Sequence, residues 1–112
     1  MKFISKPLSK QEISVLKKKY GDYLKLTVDL SQELLVAGCE LHADGEEILL
    51  EKGSLSAEIW GGGISLKMKT IDTLAVLNLR PNLDNTSMEI LDSERRKKFI
   101  KIVKKTFVIL WD

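Results

Sequence analysis

The sequence predicts an α+β fold: an antiparallel sheet of four to five strands packed by an amino-terminal and a carboxy-terminal helix, with a short helix in the middle. Three observations carry that expectation. Ser9-Lys10-Gln11-Glu12 has the form of a helix start, residues 23–30 alternate apolar and polar without a fault, and an apolar stripe with helical spacing runs from Phe99 to Leu110.

Taken in order, Lys2 to Ser5 reads as a short strand cut off by Pro7. The helix after it starts with a capping box, in which the Ser9 hydroxyl accepts the Glu12 N–H and the Glu12 carboxylate accepts the Ser9 N–H. Leu8 and Ile13 stand at the two positions of a hydrophobic staple. Ile13, Leu16 and Tyr20 share one face, and Gly21 stands where a left-handed cap is wanted. Leu24, Leu26, Val28 and Leu30 then face one side of a strand that starts at Tyr23. Ser31-Gln32 is a tight connection to a second strand, Glu33 to about Cys39, which Gly38 weakens or bulges near its end.

Residues 40–53 admit two structures. As a helix, Asp44 is the N-cap, Glu47 its capping-box partner and Gly53 the C-terminal stop. As a hairpin, Asp44-Gly45 is a type I′ turn. Early carboxylates and a late Lys52 suit a helix dipole and favour the helix. Farther on, Ile64, Leu66 and Met68 alternate with Ser65, Lys67 and Lys69 in another strand, and Ile71 to Leu79 reads as its antiparallel partner. Pro81, with no N–H to donate, ends that ladder. Asn82 to Ser87 is a polar loop. The last helix opens at Asp92 or Ser93 and runs to about Phe107, with Phe99, Val103, Phe107 and Leu110 on one stripe.

A chain of 112 residues, 44% hydrophobic and 30% charged, suits one globular domain, 1–112. Eighteen basic and 16 acidic side chains leave a net charge of +2, too balanced for a chain whose main affinity comes from neutralising phosphates. Nucleic acid is not the default partner. Cys39 is alone, so no internal disulfide forms, and cysteine usage points to the cytoplasm. With no C-x-x-C and a single histidine, His42, neither a metal nor a cofactor is expected. Residues 1–10 lack the apolar core of a signal peptide. Phe107–Trp111, the longest apolar run, falls far short of the ~20 residues of a spanning helix, so no membrane partner is expected.

Few residues carry reactive chemistry. Glu40, His42, Asp44 and Glu46 place an imidazole among carboxylates, the material of a general base with an orienting acid. The same residues equally make a capped turn beside an ordinary half-exposed histidine, and the lack of a nucleophile motif favours that. Arg80, just before Pro81, is a candidate clamp for a phosphate or carboxylate, with Asn78 on its face and Asn85 in the following loop. An ion pair to an acid such as Asp84 is the plainer role. Trp60-Gly61-Gly62-Gly63 lacks the Lys-Ser/Thr ending of a phosphate loop, so Trp60 is expected over the sheet with the glycines in a bulge or mobile turn. Arg95, Lys97, Lys98, Lys101, Lys104 and Lys105 give the last helix a basic band opposite its apolar stripe. Usually such a band is a solvated face.

Gly38-Cys39-Glu40-Leu41-His42-Ala43-Asp44, Leu49-Leu50, Gly53-Ser54, Ile59-Trp60-Gly61, Leu77-Asn78-Leu79-Arg80-Pro81 and Asn85 together resemble a family of short bacterial proteins of unknown function with ELHAD, LWG and NIRP-like motifs. The resemblance covers most of the chain. It implies an α+β fold and, at most, a shared polar site at His42, Asp44, Asn78 and Arg80, with no activity, cofactor or partner. Two positions depart from the family pattern, with Ser56 in place of a glutamine and Gly63 in place of an asparagine.

The leading functional expectation is a protein-interaction or homodimerising domain anchored by Trp60, Phe107 and Trp111, whose large stiff side chains suit interfaces. The alternative is a small hydrolase or nuclease-like enzyme with His42 as base, Asp44 or Glu46 orienting it or holding a metal, and Arg80 binding an anionic substrate. A third is weak nucleic-acid binding through the basic carboxy-terminal helix.

Overall fold

A computed structural model describes residues 1–112. Ser9 and Glu12 make the reciprocal capping box at 3.1 and 3.0 Å, and α1 runs Lys10–Tyr20 to Gly21. Strand β1 (Lys2–Ile4) precedes it, and β2 (Tyr23–Asp29), β3 (Leu34–Ala37), β4 (Ile59–Ser65) and β5 (Thr70–Asp72) follow. Together they form one antiparallel sheet in the order β1-β3-β2-β4-β5. Helix α2 (His42–Glu51) and helix α3 (Ser93–Thr106, capped by Asp92) complete the set. The fold is α+β, as the residue pattern predicts. No helix is long and apolar enough to cross a membrane.

The sheet separates two helical layers. On one side Leu24, Leu26 and Val28 of β2 meet Ile13 and Leu16 of α1 and Phe99, Val103 and Phe107 from α3 and its end, in the main core. On the other side α2 lies across the sheet. Its Leu49 packs with Val36 and Ile59, and Gly45 sits on Thr27 so closely that an added Cβ would stand 2.5 Å from the threonine Oγ1. Gly53, at φ +93°, ends α2 in a Schellman motif: Ser54 N–H donates to Leu49 and Gly53 N–H to Leu50.

Several expectations need correction. Residues 42–51 are helix rather than hairpin, but the helix begins two residues before Asp44, with Leu41 at the N-cap and no side-chain cap. Asp44 therefore caps nothing, and the Asp44–Glu47 capping box does not form. Strand β3 is shorter than expected, because the turn before it takes in Glu33 at φ 57°. The glycine run is neither bulge nor mobile turn. Gly61–Gly63 lie inside β4, paired with Thr27, Leu26 and Lys25. The expected strand 64–68 ends at Ser65, and its partner 71–79 pairs only through Thr70–Asp72 before breaking into a 3-10 turn at Val76–Asn78.

Candidate functional site

The break after β5 leaves the outer edge of β4 without a strand at Gly61, and Asn78 fills the gap. Its Oδ1 accepts the Gly61 N–H at 2.8 Å, and its Nδ2 donates to the carbonyls of Gly61, Thr73 and Met88 at 2.9–3.0 Å. One side-chain amide stands in for a strand residue. Asn85 does comparable work one layer out. Its Nδ2 donates to the carbonyls of Asn78, Ser87 and Glu89, and its Oδ1 accepts from Leu91 N–H. Both side chains are fully buried with their hydrogen-bonding capacity occupied, so the ligand-binding role expected for Asn78 and Asn85 is corrected to a structural one.

Arg80 is likewise engaged. Its guanidinium donates to the Ser56 carbonyl at 2.6 Å and to Glu46 Oε2 at 2.8 Å, and its Cζ lies 5.3 Å from the Trp60 ring centre. Its partner is Glu46 on α2 rather than Asp84. Burial pushes the guanidinium pKa down and the Glu46 carboxylate works against that. An arginine neutralised this way is a poor trap for a second anion.

His42 and Glu46 lie four residues apart on α2 and so face the same way. The His42 Nε2 stands 2.8 Å from the Gly62 carbonyl, which selects the tautomer protonated at Nε2. Nδ1 has no partner. Since no buried side-chain nitrogen or oxygen is left unpaired, Nδ1 reaches solvent. Burial lowers the imidazole pKa, with the Gly62 carbonyl acting against it, Lys25 adding to it, and Asp72 of β5 opposing it. The carboxylate that acts on the ring is thus Asp72 and not Asp44 or Glu46. No hydroxyl or thiol bonds to the ring. Cys39 is buried nearby, 3.8 Å from Thr27 Oγ1, and burial raises its thiol pKa, which disfavours the thiolate. No three His, Cys, Asp or Glu side chains gather as metal ligands.

Two open hollows lie side by side over α2 and the 3-10 turns. One, of 490 Å³, is lined by Glu46, Ser56, Leu79 and Arg80, and the other, of 370 Å³, by Lys25, Leu41, His42 and Val76. Leu77 lines both. His42, Glu46 and Arg80 therefore come to one surface, with Asn78 buried in the segment that carries it. Glu40 and Asp44 line neither hollow. The interface anchors fare differently from one another. Trp60 and Phe107 are wholly buried core residues, so they are corrected from contact surface to interior, while Trp111 is 41% exposed. The Trp60 ring also carries Arg95 at 4.8 Å, and its indole N–H donates to the Ala57 carbonyl. Sequence patterning missed Leu41 and Val76, 62% and 73% exposed beside His42. No sequence signal marks Leu41, because the pattern places the N-cap at Asp44 and only the structure shows the apolar Leu41 in that position.

These features define a class: a two-sided α+β domain whose buried polar side chains hold its own backbone, with an apolar surface left open beside α2. Residues 2–106 match the model of DUF5674, a family of proteins of unknown function, and the chain belongs to that family. Neither the curated proteins nor the solved structures compared with the chain gave a match.

Proposed function

We infer that the protein is a protein-interaction module that takes its partner on the α2 side. The observation that carries this is the exposed apolar side chains of Leu41, Val76 and Leu79, which line two hollows joined by the half-buried Leu77. Exposed apolar side chains scattered singly mean little, but a row of them on short hydrogen-bonded turns marks a contact site. Its surroundings choose the partner. The charged side chains lining the hollows are Lys25 and Glu46, the latter already paired with Arg80, while residues 40–58 around them carry five further acids, Glu40, Asp44, Glu47, Glu51 and Glu58, against the single Lys52. Two copies meeting through this face would bring like charges together, so a different protein with basic and apolar side chains fits better than a second copy.

The enzyme reading has less to stand on. His42 is oriented and open at Nδ1, yet Arg80 is already paired and no nucleophile faces the ring. Selection of displayed peptides on the immobilised protein tests the interaction reading. Enriched peptides should combine Lys or Arg with large apolar anchors, and should lose binding to the Leu41→Glu/Val76→Glu variant. No enrichment, or equal binding to that variant, would refute it.

A further inference from the structure

The near-neutral net charge hides a separation of charge between the two helical layers. Helices α1 and α3 cover the same face of the sheet, and the Leu8 N–H donates to the Thr106 carbonyl, so the start of α1 meets the end of α3. Between them they carry eleven basic side chains against two acids, Glu12 and Glu94, a net of +9. Six of the acids that balance this in the whole chain stand at residues 40–58, in and around α2 on the opposite face. Part of the positive charge is compensated where it lies, since Glu33 and Glu94 line a hollow with Lys97, Lys98 and Lys101, but the basic side chains outnumber the acids there. Lys97–Glu94, at 3.6 Å, is the one ion pair within these helices, and Glu12 pairs with Lys2 of β1. Lys17, Lys18, Lys98, Lys101, Lys104 and Lys105 are all exposed and unpaired.

We propose that this α1/α3 face binds the phosphodiester backbone of double-stranded nucleic acid without regard to sequence. The charge is complementary to a polyanion. Lysines on α3 recur one turn apart, and compact ammonium groups on flexible stems make point contacts to phosphates. Sequence readout has no equipment here, because Arg95 is turned onto Trp60 and Arg96 donates to the Ile90 carbonyl. A lipid surface fits less well. Val15 is the one large apolar side chain exposed within the two helices, and the exposed Val108, Ile109 and Trp111 lie beyond the end of α3. The site is independent of the α2-side surface.

Fluorescence anisotropy with labelled DNA and RNA duplexes, at low and raised salt, tests the proposal on the full chain. Binding to at least one duplex should weaken about 500-fold over a fourfold rise in salt if about five phosphates are neutralised. Replacing Lys98, Lys101 and Lys105 by Gln should flatten the log–log salt slope by about one per lysine, and Lys17→Gln/Lys18→Gln should flatten it again. The Leu41→Glu/Val76→Glu variant should bind as the parent does, which separates this outcome from failure of the α2-side interaction. Circular dichroism confirms that the variants fold. No binding at low salt, binding unchanged by the lysine substitutions, or binding to phosphatidylglycerol vesicles in place of both duplexes would each overturn it.

Discussion

Asn78 shows how a residue with the chemistry of a ligand contact can serve the fold instead. Its amide takes both backbone groups of Gly61 on the open edge of β4 and two further carbonyls from neighbouring segments. Asn78→Ala leaves the Gly61 N–H and C=O buried and unpaired, while the Thr73 and Met88 carbonyls keep the N–H groups of Ile90 and Ala75, and at about 1–3 kcal/mol for each group left without a partner the loss should reach about 3 kcal/mol in urea unfolding. A loss under about 1 kcal/mol would mean that water replaces the amide. Nothing in the sequence distinguishes that use of an asparagine from a pocket contact, since both need a polar side chain at a strand end. His42 bears on pH. Burial holds its folded pKa below the ordinary 6.5, so the unfolded chain takes up the proton first as pH falls. Stability contributed by the neutral ring is full above about 6.5 and is lost as pH falls through the lower, folded value. The melting temperature should drop as pH falls below 6.5, and His42→Gln should flatten that drop. Equal slopes would show that another group titrates.

At the scale of elements, β4 explains why a run of three glycines belongs in a central strand. An added Cβ at Gly61 would stand 2.7 Å from the Ala75 Cβ and 2.9 Å from the His42 ring, at Gly62 it would meet the Asp72 carbonyl and the Phe99 ring, and at Gly63 the Tyr23 hydroxyl. The glycines let α2, α3 and the 73–78 segment close on the strand from several sides. Gly62→Ala meets backbone that cannot yield, so it should destabilise by about 2 kcal/mol, of the order seen when a packed core is overfilled. Gly21→Ala has open space around it but sits at φ +90°, and should cost about 1 kcal/mol through strain alone. Chemical denaturation of the two variants separates these causes. A harmless Gly62→Ala would show that the sheet and α3 can move apart. Local chemistry made α1, β2 and α3 legible, because a capping box, period-two alternation and an amphipathic stripe each depend on neighbours in sequence. The glycine strand and the early break of β5 were not legible. Their cause is what packs on them from elsewhere, and period-two spacing across 71–79 imitates a strand that tertiary contacts interrupt.

Over the whole molecule, one sheet keeps a basic helical layer apart from an acidic one, and composition alone averages that difference to +2. The candidate site was only partly visible beforehand. His42, Arg80 and Glu46 do reach a common surface, whereas Asp44, the other acid expected beside His42, lines neither hollow, and the apolar residues around them carry no signal in the sequence beyond a strand-like alternation. Like charge around α2 also bears on assembly. Light scattering should find a species the size of one chain, and a dimer abolished by Leu41→Glu/Val76→Glu would favour self-association through that face over a foreign partner. The most direct test is a two-dimensional NMR titration of isotope-labelled protein with a peptide selected on it. Shifts should gather at Leu41, His42 and residues 76–80 and leave the lysines of α3 unmoved. Shifts gathered on α1 and α3, with the α2 side silent, would contradict the assignment of the partner surface.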